Sequence, residues 1–68
     1  MLPITNNIER IRKQNGLSQV ELAAKLSVQQ STISQIETGE RNPSVNLLLR
    51  MADVLGVTVD ELVNQKAG

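Results

Sequence analysis

The spacing of apolar residues between positions 19 and 38 constrains the fold of this chain more than any other feature of its sequence. Counted from Gln19, apolar side chains stand at the fourth, fifth, eighth, tenth, fifteenth and eighteenth positions, which are Leu22, Ala23, Leu26, Val28, Ile33 and Ile36. Two short helices that pack across a tight turn need apolar groups at these positions. Ala23 stands where the helices approach most closely, and a longer side chain there would cost about 1–3 kcal/mol by overpacking.

Helix start and stop signals extend this pattern over the chain. Capping residues stand at four predicted helix starts, namely Asn6, Ser18, Ser44 and Thr58. All but Ser44 precede a glutamate by three positions, and Ser18 and Thr58 match the capping box. Helix ends and loops are marked by Gly16, Gly39, Pro43 and Gly56. No strand pattern competes, since Val57-Thr58-Val59 is too short. We predict an all-α, compact five-helix fold in one domain over residues 1–68, with an ordered core at about 5–64.

The composition excludes several classes of function. The 68 residues include no cysteine, no histidine and no aromatic residue, so the core must be aliphatic. Disulfides, thiolate metal sites and the commonest general base are therefore absent. We predict no enzyme activity, no cofactor, no metal and no small-molecule effector site in a chain of this length. No apolar stretch or secretory signal indicates a membrane partner, so we expect a cytoplasmic protein.

Charge is balanced overall but unevenly distributed. The formal net charge is zero, which counts against nucleic-acid binding when taken alone. Residues 1–50 hold six lysines and arginines against four glutamates, a net charge of +2. Residues 51–68 hold one lysine against three acidic residues, a net charge of −2. The first part of the chain is therefore the better candidate for facing phosphate.

Three strings in this order carry a family resemblance, GLSQVELA, STISQIETG and NPSVNLLLRMADVLGV. From about Ile8 to Val63 the chain resembles the helix-turn-helix domain of the Cro and lambda-repressor class, with the helix-turn-helix at about residues 19–38. The resemblance implies five helices, the third lying in the major groove of double-stranded DNA. Two departures stand out. Ser27 occupies the turn position that is often glycine, and Gln29 stands where a serine or threonine cap is expected.

The resemblance also implies which residues contact DNA. The base-reading candidates lie on or beside the exposed face of the third helix and are Gln29, Gln30, Ser31, Ser34 and Gln35. A glutamine amide can bond adenine N6 and N7 together, and this helix has no arginine or lysine to read guanine. We therefore expect A·T pairs opposite Gln30 or Gln35. The alternative is that these residues are only solvated polar groups.

Phosphate contacts are expected from both helices and the following loop. The candidates are Ser18, Gln19, Thr32, Arg41 and Asn42. Helix N-termini favour anions through their free amides, and such contacts position a protein without reading sequence. Ser18 also serves as a helix cap, which is compatible with this role. Arg41 has the alternative of being an ordinary solvated residue.

Two further expectations concern structure and assembly. The family pattern pairs Arg12 with Glu37, either as a buried ion pair or as a loose surface pair. One short last helix cannot easily bury all three of the apolar side chains Val57, Val59 and Val63. They form either a two-fold dimer contact or part of the monomer core.

The function predicted from the sequence is that of a transcriptional regulator. A repressor that binds a palindromic operator as a homodimer fits the resemblance best. A phage repressor, a restriction-modification controller and an antitoxin would look alike at this length. The competing hypothesis is a protein-interaction module on the same fold, which net neutrality favours and the polar face of the third helix disfavours.

Overall fold

A computed structural model describes residues 6–63 of the chain, which is all-helical over this range. Its elements are α1 (Asn6–Gln14), α2 (Gln19–Leu26), α3 (Gln30–Thr38), α4 (Val45–Leu55) and α5 (Val59–Val63). The five-helix fold predicted from the sequence is confirmed. Residues 5 and 64, the expected limits of the ordered core, lie outside the described range. Within residues 6–63, no helix is long and apolar enough to cross a membrane.

The predicted caps account for most helix boundaries. Ser18 precedes α2, where its hydroxyl accepts from the Glu21 amide at 3.0 Å and its own amide donates to the Glu21 carboxylate at 2.8 Å. The hydrogen bond from the Ser18 amide is the main cause that lowers the pKa of Glu21. The Ser44 hydroxyl caps α4 by accepting from the Leu47 amide at 3.1 Å, and Thr58 forms a second reciprocal box with Glu61. Asn6 is the first residue of α1 and not the residue before it.

The core is aliphatic and draws on all five helices. Its buried members are Ile8, Ile11, Leu22, Ala23, Leu26, Ile33, Ile36, Met51, Ala52, Leu55 and Leu62. Helix α2 packs against α3 and α4, while α1 packs against α5 and α3. Five of the six apolar positions predicted between residues 19 and 38 are buried, and Val28 is half-buried against the core. Because Ile33 and Ile36 bury one side of α3 in the core, the opposite side of this helix faces solvent.

Ser27 adopts the left-handed conformation that the turn requires. Its φ and ψ are 59° and 40°, and its amide donates to the carbonyls at the end of α2. Within the described residues it is the only non-glycine with a positive φ. An L-residue pays about 1–2 kcal/mol in this region, so Ser27 tolerates the conformation at a cost to stability.

Replacing Ser27 by glycine is expected to raise the free energy of unfolding by about 0.5–1 kcal/mol. Relief of the left-handed strain outweighs the larger chain entropy that glycine loses on folding. Urea denaturation followed by far-ultraviolet circular dichroism measures the change. The reverse substitution, Gly56→Ser, is the matched control, because Gly56 ends α4 with a φ of 70° and open space around it. It should lower stability, and a Ser27→Gly protein no more stable than the parent would contradict the account.

Candidate nucleic-acid interface

Helices α2 and α3, joined by Ser27 to Gln29, present a polar surface built around α3. The side of α3 that faces the core carries Ile33 and Ile36, both with no exposed surface. The base-reading candidates lie on the remaining surface: Gln29, Gln30 and Ser31 are exposed, and Ser34 and Gln35 are half-buried. Gln29 immediately precedes α3, and its side chain makes no capping hydrogen bond. The start of α3 therefore lacks the side-chain cap that Ser18 and Ser44 supply to α2 and α4.

Gln19 and Gln30, each the first residue of its helix, are held together across the turn. The Gln30 Nε2 donates to the Gln19 Oε1 at 2.6 Å. The Gln19 Nε2 in turn donates to the Glu37 Oε1 at 2.9 Å. Both hydrogen-bonding groups of the Gln19 amide are thus engaged, and the Gln30 side chain is tied to a fixed neighbour.

Arg12 and Glu37 form a buried ion pair behind this surface. The Arg12 Nε lies 2.6 Å from the Glu37 Oε2, and the Arg12 Nη2 donates to the Glu37 Oε1 at 3.1 Å. The third guanidinium nitrogen donates to the Leu17 carbonyl at 2.8 Å. The side chains of Arg12 and Glu37 are 7% and 3% exposed, so they form a buried ion pair and not a loose surface pair. Hydrogen bonding to Glu37 is the main cause that raises the pKa of Arg12.

The loop after α3 lies beside Gln35 on that helix. The Arg41 Nε donates to the Gln35 Oε1 at 3.0 Å, so the cation is close to the last base-reading candidate. Arg41 and Asn42 are exposed, whereas Thr32 is half-buried within α3. Ser18 is exposed at the start of α2, beside half-buried Gln19. Four of the five phosphate-contact candidates therefore lie at the start of α2 or in the loop after α3, and Thr32 lies within α3.

The candidate dimer residues lie on α5 and in the turn before it. Val57, Val59 and Val63 are half-buried and pack against the core, so part of each side chain completes the monomer. Larger apolar exposure occurs at Val45 and Leu49 on α4, which are 74% and 54% exposed.

A helix-turn-helix family model matches residues 8–62, which is most of the chain. The chain belongs to the helix-turn-helix family of the Cro and lambda-repressor type. The family resemblance predicted from the sequence is confirmed, and the relatives are regulators of transcription and not enzymes.

Named relatives and solved structures show which helix-turn-helix proteins this domain is similar to. It is 41% identical over 64 residues to the transcriptional regulator SinR of Bacillus licheniformis, covering 93% of this chain and 58% of SinR. The chain thus spans less than two thirds of that relative. A crystal structure of the biofilm master regulator SinR in complex with DNA matches with a TM-score of 0.82 at 39% identity, covering 90% of this chain and 98% of that one. The P22 c2 repressor bound to a synthetic operator matches with a TM-score of 0.86 at 26% identity, covering 97% and 100%.

Two sets of contacts in this helix-turn-helix domain were not anticipated from the sequence. One is the set of amide hydrogen bonds that joins Gln30, Gln19 and Glu37. The other is Arg50 on α4, whose guanidinium donates to the Leu26 carbonyl at the end of α2. Neither follows a helical period, because each joins residues of different helices. A partial signal for Arg50 existed in the general preference of cations for helix C-termini.

Proposed function

We propose that this helix-turn-helix domain binds double-stranded DNA in a sequence-specific manner, as a transcriptional repressor, with α3 in the major groove. The observation that carries the proposal is the polar surface of α3, where Gln30 is oriented by Gln19 while Ile33 and Ile36 anchor the helix in the core. A fixed helix with hydrogen-bonding side chains on one exposed face is what major-groove recognition needs. The DNA complexes of SinR and the P22 repressor, which share this fold, support it.

The roles of individual side chains follow from their position. Gln30 and Gln35 would read base edges, with Gln29, Ser31 and Ser34 beside them. Bidentate bonding by a glutamine favours adenine, so A·T pairs are expected opposite Gln30. The remaining polar candidates would fix the register on the backbone without reading sequence, and are Ser18, Gln19, Thr32, Arg41 and Asn42.

A dimer on a palindromic operator completes the proposal. Dimers of this type of motif bind half-sites about 34–36 Å apart, one turn of the double helix. Val57, Val59 and Val63 are proposed as the contact, since each keeps part of its apolar surface exposed beside α5. A second chain would cover that remainder and repeat the reading surface on the next turn of DNA.

The test is selection of binding sites from random duplex DNA, followed by titration of the selected duplex at two salt concentrations. The parent protein should select a palindrome, and its affinity should fall steeply with salt because phosphate contacts release counterions. Gln30→Ala should lose preference at one base pair per half-site, by about 1–3 kcal/mol. Gln14→Ala is the matched control, because Gln14 is an exposed glutamine at the end of α1 and not a residue of the helix-turn-helix.

Three outcomes would count against parts of the proposal. A folded protein that enriches no sequence would point to the protein-interaction module. Selection of a single half-site by a monomer would leave DNA binding in place but remove the dimer. Unchanged base preference in Gln30→Ala would remove Gln30 from the reading residues.

A further inference from the structure

We propose that Glu37, a buried residue beneath the reading surface, determines which base Gln30 prefers. It acts through Gln19, and the proposal rests on the proposed DNA-binding function. Glu37 as a whole residue is only 6% exposed and is therefore a positioning residue, whereas Gln30 is exposed and is the residue that would face the base.

Three hydrogen bonds converge on the Glu37 carboxylate. Two come from Arg12, at 2.6 Å and 3.1 Å, and the third comes from the Gln19 Nε2 at 2.9 Å. An ionised carboxylate only accepts hydrogen bonds. As the partner of an arginine, Glu37 is ionised, so Gln19 must turn its NH₂ group inward.

The orientation of Gln19 also determines that of Gln30, because the other polar atom of the Gln19 amide, its Oε1, is bonded to Gln30. With its Nε2 directed at Glu37, Gln19 presents its Oε1 to the start of α3. Gln30 must then donate, and its Nε2 lies 2.6 Å from that oxygen. The Glu37 carboxylate thus determines which atom donates and which accepts in both hydrogen bonds, from Gln19 to Glu37 and from Gln30 to Gln19.

The atoms left free on Gln30 define its base preference. One Nε2 hydrogen and the Oε1 remain available, a donor beside an acceptor. Adenine offers the complement in the major groove, an acceptor at N7 and a donor at N6. A Gln30 amide turned the other way would present two hydrogens, which suit the acceptors of guanine or thymine O4.

Glu37→Gln tests this directly, because the new side chain has the same shape but one oxygen becomes an NH₂ group. The remaining oxygen is expected to keep the shorter bond, from the Arg12 Nε at 2.6 Å, so the NH₂ group takes the place of the Oε1 that now faces both Gln19 and the Arg12 Nη2. The Arg12 Nη2 then loses its acceptor, and the Gln19 amide must turn to accept from the NH₂ group. At the base pair identified by Gln30→Ala, preference should move from adenine toward guanine or thymine by roughly fivefold or more. Preferences at the other base pairs should stay as in the parent.

Glu40→Gln is the matched control. It changes the net charge by the same amount, but Glu40 is exposed and its carboxylate accepts from the Thr38 hydroxyl. A general electrostatic effect would alter the affinity of both variants equally for all sequences. A change of base preference at one position, found only in Glu37→Gln, is the expected signature.

Two measurements keep the proposal testable if Glu37→Gln does not fold. Gln19→Met removes the intermediate amide and should flatten preference at the Gln30 base pair. In the unmodified protein, nitrogen-15 NMR should show one Gln19 side-chain amide proton that is shifted downfield and exchanges more slowly than those of exposed Gln14.

The outcomes separate the two proposals. If the parent protein selects no DNA sequence, the proposed function fails and this inference falls with it. If the parent selects a sequence but folded Glu37→Gln and Gln19→Met both keep its preference for adenine, only the role of Glu37 is overturned. Gln19 amide protons that match those of Gln14 would overturn it without any DNA.

Discussion

Replacing Arg12 by alanine is expected to lower the free energy of unfolding by about 3–5 kcal/mol. The substitution leaves the Glu37 carboxylate buried without its charge partner, which costs far more than losing an exposed ion pair. It also removes the hydrogen bond to the Leu17 carbonyl between α1 and α2. Small domains have only about 5–15 kcal/mol of stability in total, so the variant should be close to unfolding at room temperature. Urea denaturation followed by far-ultraviolet circular dichroism measures it, because the chain has no tryptophan or tyrosine to fluoresce.

The control uses the second ion pair of the described chain. Lys13 lies 3.1 Å from Glu9, but both side chains are largely exposed. Lys13→Ala should therefore change stability by no more than about 0.5 kcal/mol. A double-mutant cycle between Arg12 and Glu37 should give a large coupling energy, and replacing both by apolar residues should recover much of the loss. Additive effects of the two single substitutions would refute the buried pair.

Leu22→Ala is the second change with a large expected effect, a loss of about 2–5 kcal/mol. Leu22 is fully buried on α2, where that helix packs against α3 and α4. Truncation removes the transfer free energy of the side chain and leaves a cavity that the neighbouring helices fill only in part. The urea midpoint should fall sharply while the slope of the transition stays the same.

Leu49→Ala is the matched control for the cavity. It is the same chemical change on α4, at a leucine that is 54% exposed. Since solvent already covers much of this side chain, we expect a change of only about 0.5 kcal/mol or less. Equal losses in Leu22→Ala and Leu49→Ala would show that position in the core does not explain the effect.

Stability and recognition share residues in this domain. Glu37 completes the ion pair with Arg12 and also accepts the hydrogen bond that orients Gln19. The same buried group thus joins α1 to α3 and fixes the amide nearest to the proposed base reader. This arrangement explains why a stabilising contact and a specificity effect are predicted from neighbouring substitutions.

The sequence by itself determined the helices, the core and the caps of α2, α4 and α5. Ser18 with Glu21 and Thr58 with Glu61 act within a single helical turn, so residue type and spacing are enough to predict their hydrogen bonds. Leu22, Ala23, Leu26, Ile33 and Ile36 follow from the helical period for the same reason. For Ser27 the sequence showed only that serine replaces the usual glycine of the turn, and the structure decided that it takes the left-handed conformation.

Only the tertiary structure decided how the polar groups of different helices are paired. Gln19 begins α2, Gln30 begins α3, and Glu37 lies in the last turn of α3. No sequence period relates these three residues. The pairing of Arg41 with Gln35, and of Arg50 with the end of α2, depends on the same kind of placement. A side-chain hydrogen bond needs its two atoms within about 3 Å and well aligned. Packing of the helices sets that geometry, whereas the caps and the apolar stripe are set within each helix.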